Sequence, residues 1–109
     1  MLRKLMRMHS QDLPEIGPSL AQLLTQRFAE GVLVGARLPE ARRQDVEGSL
    51  TIAVEAGQLT CTCDITGTTY ERPWDGKEQT AQALVDEASE STAYLVTTTR
   101  HYAWLRASR

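Results

Sequence analysis

The sequence predicts an α+β domain with two layers, an antiparallel sheet of about four to five strands with helices packed mainly on one of its faces. Two observations support this prediction. Apolar residues recur at helical spacing in two separate segments, and between these segments two runs alternate apolar and polar residues as the strands of a half-buried sheet do. The chain of 109 residues has the length of one domain, so we expect a single domain over residues 1–109.

The chain begins with a short basic amphipathic segment, residues 1–12. Arg3, Lys4 and Arg7 lie there among apolar side chains, a pattern typical of a short amphipathic helix. No continuous apolar run follows these charges, so a secretory signal is excluded and a transit peptide is the alternative interpretation. No apolar run reaches the length of a membrane span. Because the two cysteines are close together and no secretory signal is present, we expect a cytoplasmic protein.

The first long helix is predicted to begin at Pro18 and to end near Gly31. Proline suits the first turn of a helix, and glycine suits the position just past its end. The apolar residues at helical spacing between them are Leu20, Leu23, Leu24 and Phe28. The short apolar run Val32–Leu38 then predicts a first strand, which Gly35 weakens and Pro39 ends.

The middle of the chain predicts a β-hairpin. A charged stretch, Glu40–Gly48, leads into it and is interpreted as a connection that contains one helical turn. Residues Leu50–Ala56 and Leu59–Thr66 both alternate apolar and polar side chains, and Gly57 lies in the break between them. The segment Thr68–Arg72 is predicted to be a third strand or the return of the same sheet.

Both cysteines lie in the second strand of this hairpin, spaced Cys-x-Cys. Alternate residues of a strand face the same side, so Cys61 and Cys63 share the apolar side of the sheet, and the opposite side carries threonines. Free cysteine behaves as a small buried hydrophobic residue, and we interpret the pair as core packing. The alternatives are a zinc site completed by His9 and His101, and a strained disulfide. We therefore expect neither a metal nor a cofactor.

A second long helix is predicted from about Gly76 to Glu90. Asp75 stands three residues before Glu78, the arrangement of a capping box, and apolar residues at helical spacing follow. The segment Ala93–Thr99 is rich in β-branched residues and predicts a last strand. Residues 101–106 either extend this strand or form a short helix.

The charge of the chain is unevenly distributed. Residues 10–99 carry 14 acidic and 6 basic side chains, and the other basic residues lie near the two ends. A protein that binds nucleic acid neutralises phosphates with a basic face, which the body of this chain lacks. The acidic body favours another protein, one with a basic surface, as the partner.

Two aromatic clusters are the candidate binding surface. The first follows the hairpin and comprises Tyr70, Arg72, Trp74 and Asp75. Trp, Tyr and Arg are the residue types that dominate binding hot spots, which favours a contact surface. The alternative is that Trp74 covers one end of the core and that Asp75 only caps the following helix.

The second cluster lies at the C-terminus and comprises Arg100, Tyr102, Trp104 and Arg106. In an extended chain these four residues line one face, with basic and aromatic side chains interleaved. Such a face suits a protein interface, and it also suits nucleic acid, because the rings stack on bases while the arginines neutralise phosphates. In a purely structural edge strand the rings would cover the core and the charges would face outward.

Taken together, these observations predict a small non-enzymatic protein-binding domain of the immunity, inhibitor, adaptor or chaperone type. The sequence contains no recognisable catalytic constellation and no glycine-rich phosphate loop. One alternative is an accessory nucleic-acid-binding protein that uses the basic aromatic C-terminus. Another is a small ligand-binding domain or enzyme with a pocket between sheet and helices. An exposed strand edge would also allow a homodimer.

Overall fold

A computed structural model describes residues 16–106 and confirms the α+β class, with four helices and one antiparallel sheet of three strands in this part of the chain. The elements are α1 (Pro18–Ala36), α2 (Arg43–Gly48), β1 (Leu50–Glu55), β2 (Gln58–Cys63), β3 (Thr68–Pro73), α3 (Glu78–Thr98) and α4 (Ala103–Arg106). Short 3₁₀ turns precede α2 and α4. The predicted four to five strands are wrong because two expected strands are helical. The predicted N-terminal segment, residues 1–12, lies outside the described residues.

Helix α1 is longer than the sequence predicted. It continues through Gly31 to Ala36, so the predicted helix end at Gly31 and the predicted strand Val32–Leu38 are both wrong. Val32 and Leu33 are buried in the core. Their burial outweighs the weak intrinsic preference of β-branched residues for strands, which amounts to only a few tenths of a kcal/mol for each residue.

A residue in the left-handed conformation ends α1. Arg37 has a φ of 54°, and the backbone N–H of Leu38 donates to the carbonyl oxygen of Leu33 over 2.9 Å. This is the Schellman arrangement, which usually places glycine where Arg37 stands. The true end of α1 therefore carries none of the glycine signal that normally reveals a helix end.

Helices α1 and α3 lie side by side and run in the same direction. The residues that face each other along them are, in order, Arg27 and Asp86, Gly31 and Ser89, and Gly35 and Ala93. A Cβ atom added at Gly31 would lie 2.6 Å from the Oγ of Ser89, and one added at Gly35 would lie 2.9 Å from the Cβ of Ala93. The two glycines, one turn apart, thus permit a backbone approach that larger residues would prevent.

The predicted hairpin and third strand are present, although β2 ends at Cys63 and not at Thr66, because residues 64–67 form a turn. Strands β1 and β2 pair antiparallel with Ile52 opposite Cys61, and β3 pairs antiparallel with β2 so that Tyr70 also lies opposite Cys61. Ala56 and Gly57 form the two-residue turn of the hairpin. Their φ angles are 52° and 78°, as a type I′ turn requires.

The inner face of the sheet packs on the helices. Leu59, Cys61 and Cys63 are almost fully buried there, which confirms that they share the apolar face. Both cysteines are free thiols. Burial, and to a lesser extent the neighbouring Cys63, raises the pKa of the Cys61 thiol to about 12, so it stays protonated at neutral pH. Between residues 16 and 106, no three His, Cys, Asp or Glu side chains are grouped as a metal site requires.

Helix α3 begins close to the predicted position and runs further than predicted. It extends to Thr98, so the predicted end at Glu90 and the predicted strand Ala93–Thr99 are wrong. Ala93 and Val96 are buried in the helical conformation, and that packing again decides against the local β preference. None of the helices described combines the length and apolar composition needed to cross a bilayer.

Asp75 holds the start of α3, although not through the expected capping box. One of its carboxylate oxygens accepts a hydrogen bond from the N–H of Lys77 over 2.9 Å, and the other accepts one from the Oγ1 of Thr80 over 2.8 Å. These bonds, the one from Lys77 first, lower the pKa of Asp75. Glu78 instead accepts a hydrogen bond from Nε2 of Gln82.

Candidate protein-binding surface

The first predicted cluster lies where β3 meets α3. Trp74 is buried, with 5% of its surface exposed. The Tyr70 hydroxyl donates to the Oγ of Ser91 over 2.8 Å, and Nη2 of Arg72 donates to Oε1 of Glu87 over 2.9 Å. Both side chains therefore bind the edge strand β3 to α3, which leaves Asp75, at the start of that helix, as the most exposed member of the cluster.

The second predicted cluster is not extended. Arg100–Tyr102 form a 3₁₀ turn and Ala103–Arg106 form α4, so the helical alternative is the one observed, and the single face that an extended chain would give these four residues is not formed. Tyr102 packs against the core, whereas Arg100 is exposed. Trp104 remains 53% exposed although the next residue along the chain is fully buried.

Arg42 orients the exposed Trp104. The guanidinium carbon of Arg42 lies 5.6 Å from the centre of the indole ring, within cation–π distance. Nη2 of Arg42 also donates to the carbonyl oxygen of Trp104 over 3.2 Å, and its Nη1 lies 3.4 Å from Oδ2 of Asp45. Leu105, the next residue along the chain, is fully buried, while the indole ring of Trp104 is 53% exposed and in contact with Arg42.

All the large hydrophobic residues that are strongly exposed in the described chain lie on helices. They are Leu23, Val34, Tyr94 and Trp104, each with more than half of its surface exposed. The first two belong to α1, Tyr94 to α3 and Trp104 to α4. Single exposed apolar residues are ordinary on protein surfaces. Their restriction to the helices nevertheless distinguishes the helical side of the domain from the sheet side.

The outer face of the sheet is polar. Thr51 is exposed on β1, and the hydroxyls of Thr62 and Thr69 lie 3.0 Å apart across β2 and β3. The charged members of this face, Glu55 and Glu71, are also exposed. The outer face thus has the threonine-rich composition that the alternation predicted, and it presents no large apolar side chain.

A groove of about 510 Å³ opens beside the first half of α1. Leu20, Leu23 and Leu24 form its apolar floor. Charged residues of α1, α2 and α3 line its rim. Two of these residues are Glu47 of α2 and Glu78 of α3. We call this site the acidic groove.

The arginines at the acidic groove are neutralised by carboxylates. Arg27 is bound through two nitrogens by Asp86, over 2.7 and 2.9 Å, and its hydrogen bonds lower the pKa of that carboxyl group. Arg43 contacts Glu40 and lies 2.9 Å from Glu30, and hydrogen bonds to both raise the pKa of its guanidinium. Because each of these arginines already forms ion pairs with carboxylates, the other carboxylates at the rim give the groove a net negative charge.

Three of the exposed hydrophobic residues were not predicted as binding candidates. Val34 and Tyr94 belong to segments that were expected to be strands. The face of a helix on which each of them lies could therefore not be predicted. Leu23 is one of the apolar residues at helical spacing from which the first helix was predicted, and such residues normally face the core. A signal against that assignment was available, because Leu23 and Leu24 are adjacent and therefore about 100° apart around a helix, so they do not both point to the centre of the core.

Comparisons of the chain with protein-family models, with curated proteins and with solved structures found no match. The class of the protein therefore follows from its architecture. It is a small α+β domain in which a parallel pair of helices covers one face of a three-stranded antiparallel sheet and carries the exposed apolar residues.

Proposed function

We propose that this protein is a small non-enzymatic protein-binding domain, of the adaptor or inhibitor type, that contacts its partner through its helices. The observation that carries the proposal is the restriction of the exposed large hydrophobic residues to α1, α3 and α4. Exposed apolar surface rimmed by polar residues is typical of protein interaction sites. The polar outer face of the sheet lacks such anchors.

The setting of Trp104 favours a role in binding. Tryptophan and arginine are enriched among the residues that dominate interfaces. Because the indole already packs against the Arg42 guanidinium, less side-chain freedom is lost when a partner covers it. The ring would therefore act as a preorganised anchor.

The cysteines favour a non-catalytic function. Thiolate is the reactive form of cysteine, and the high pKa of Cys61 keeps its thiol protonated in the core. Cys63 is equally buried beside it. Both residues act as core hydrophobic residues, which is the role that the strand alternation predicted.

The proposal is tested by affinity capture from an extract of the native cells, with the full-length protein as bait. Captured proteins are identified by mass spectrometry, and the affinity for the purified partner is then measured. We expect Trp104→Ala and Tyr94→Ala each to weaken binding about tenfold or more, since interface aromatic residues often contribute at least this much. Glu71→Ala, on the outer face of the sheet, is the control and should bind like the unmodified chain.

Two results would contradict the proposal. One is the absence of any captured protein whose binding survives purification. The other is capture that disappears after nuclease treatment, which would instead support the nucleic-acid alternative.

A further inference from the structure

Resting on this proposed function, we infer that the acidic groove binds a basic amphipathic helical segment of the partner protein. A helix that lies in a groove is a recurrent mode of recognition, in which apolar side chains at helical spacing enter the groove and polar ones stay at its edge. The floor and the rim of the acidic groove supply the complementary halves of such a contact.

The floor of the acidic groove offers a partner apolar surface that the fold itself leaves partly exposed. Leu24 is sealed in the core, Leu20 is half-buried, and Leu23 is 57% exposed. Leu20 and Leu23 are three residues apart, so both lie along the same side of α1 and present a continuous apolar strip. A partner that covers this strip removes exposed leucine surface from water, which is favourable.

The rim selects for positive charge. The charged residues of the groove and their ion-pair partners comprise two arginines and five carboxylates, a balance of −3. Among residues 16–106, no cation is paired with Glu47 or with Glu78. Lysine or arginine side chains that flank the apolar residues of a partner helix would meet these two carboxylates, whereas an acidic helix would be repelled.

The arginines of the groove do not favour an acidic or phosphorylated ligand. Arg27 already donates two hydrogen bonds to Asp86, and Arg43 contacts both Glu30 and Glu40. A ligand carboxylate or phosphate would have to displace these partners and would then face the uncompensated rim. The charge distribution therefore assigns a basic occupant.

The direct test uses two labelled synthetic peptides and the full-length protein. Both peptides carry leucines at helical spacing, and the other positions are lysine in one peptide and glutamate in the other. We expect the lysine peptide to bind and the glutamate peptide not to bind in a fluorescence anisotropy titration. Binding of the lysine peptide should weaken as the salt concentration rises.

Variants of the chain locate the binding site. Glu47→Lys and Glu78→Lys should each weaken binding of the lysine peptide about tenfold, because a rim charge changes from attractive to repulsive. Leu23→Ala should weaken it by about threefold to tenfold. The matched controls are Glu55→Lys, which makes the same charge change on the sheet, and Thr51→Ala, which truncates an exposed side chain on the outer face of the sheet. Both controls should alter the affinity by no more than about twofold.

Three results would overturn the inference. The first is equal affinity of the lysine peptide for the groove variants and for the controls. The second is a dimer in sedimentation that Leu23→Ala dissociates, since the groove would then hold a second copy of the chain. The third is tighter peptide binding after Arg3, Lys4 and Arg7 are replaced by alanine, since the occupant would then be the chain's own basic segment.

The failure of this inference is distinguishable from failure of the proposed function. If the native partner is captured normally by Glu47→Lys but lost with Trp104→Ala, the protein-binding function stands and the groove is not its site. If both variants lose the partner while the Glu55→Lys control keeps it, the groove and the indole belong to the same interface.

Discussion

The contact between α1 and α3 and the outer face of the sheet constrain their residues in opposite ways. At Gly31 and Gly35 there is no room for one additional methyl group, because the facing helix begins within 3 Å of where it would stand. On the outer face of the sheet, side chains such as Thr51 and Glu71 extend into solvent. The identity of a residue is therefore determined by packing in the first region and by strand preference and local hydrogen bonds in the second.

The same contrast exists within α1. Phe28 and Val32 point into the core and are fully buried, while Leu23 and Val34 on the other side of the helix are more than half exposed. One face of this helix therefore holds the domain together, and the other carries exposed apolar side chains that the core does not require. Substitutions on the two faces should have separable effects on stability and on binding.

The largest expected effect is that of Phe28→Ala in the helical layer. Phe28 is the largest fully buried side chain among the described residues, so its truncation should lower the free energy of unfolding by about 3–5 kcal/mol. Thr51→Ala on the outer face of the sheet is the comparison and should change it by less than about 0.5 kcal/mol. Urea denaturation measures both values. Similar losses from the two substitutions would refute the contrast between the layers.

The next effect is that of Gly35→Ala, which tests the close approach of the helices directly. The added methyl group would stand 2.9 Å from the Cβ of Ala93, an overpacking that costs about 1–3 kcal/mol. Alanine recovers up to about 1 kcal/mol through its higher helix propensity, so we expect a net loss of about 1–2 kcal/mol. The control is Gly48→Ala, which has no atom within 4 Å and should be neutral or stabilising.

A second substitution sharpens this test. In the double variant Gly35→Ala with Ala93→Gly, the methyl group is moved from one helix to the other and the clash is removed. A double-mutant cycle should therefore give a favourable coupling of about 1 kcal/mol or more between the two positions. Strictly additive effects would mean that the glycine acts only through its backbone.

A smaller effect, of opposite sign, is expected in the sheet. Ala56 adopts a φ of 52° in the hairpin turn, where asparagine is preferred over alanine. Ala56→Asn should therefore raise the free energy of unfolding by about 0.5–1 kcal/mol in thermal or urea denaturation. Gly57→Ala should lower it, since its φ is 78° and no neighbouring atom would be touched. If both substitutions act in the same direction, the assigned turn is incorrect.

The smallest effect concerns the ion pair at the edge of the helical contact. Hydrogen bonds from Arg27 lower the pKa of Asp86, so the pair stabilises the fold above the carboxyl pKa of the unfolded chain, about 3.9. That contribution is lost as the pH falls through the lower folded value. Asp86→Asn should therefore reduce stability slightly at pH 7 and by a smaller amount at an acidic pH below the unfolded value. A difference that persists undiminished in acid, in urea titrations at the two pH values, would contradict this account.

The sheet was predictable because its determinants are local. The alternation around Cys61 and the break at Gly57 specify two paired strands with a turn, and the structure contains them. The lengths of the helices were not predictable in the same way. Val32–Leu38 and Ala93–Thr99 have strand-like composition, and they become helical because burial against each other's helix stabilises them more than local preference opposes it.

The glycines and tryptophans show the same limit. Gly31 was interpreted as the end of a helix and Gly35 as a residue that weakens a strand. Their spacing of four residues places both against α3, which is visible only when the facing helix is known. Trp74 and Trp104 were both predicted as binding candidates, yet the structure buries the first and exposes the second. Sequence composition selects residue types that suit a binding surface, whereas exposure depends on contacts between distant segments.

The parallel direction of α1 and α3 has a consequence for the order in which the chain folds. Arg27 and Asp86 are separated by 59 positions, because residues 37–77 must return to the starting end before α3 begins. Closing so large a loop costs entropy before any contact between the helices forms, while the hairpin closes over a few residues. We expect the sheet to form early and the contact between α1 and α3 to form late. Substitutions at the turn residue Ala56 should therefore change the folding rate, whereas those at Gly35 should mainly change the unfolding rate.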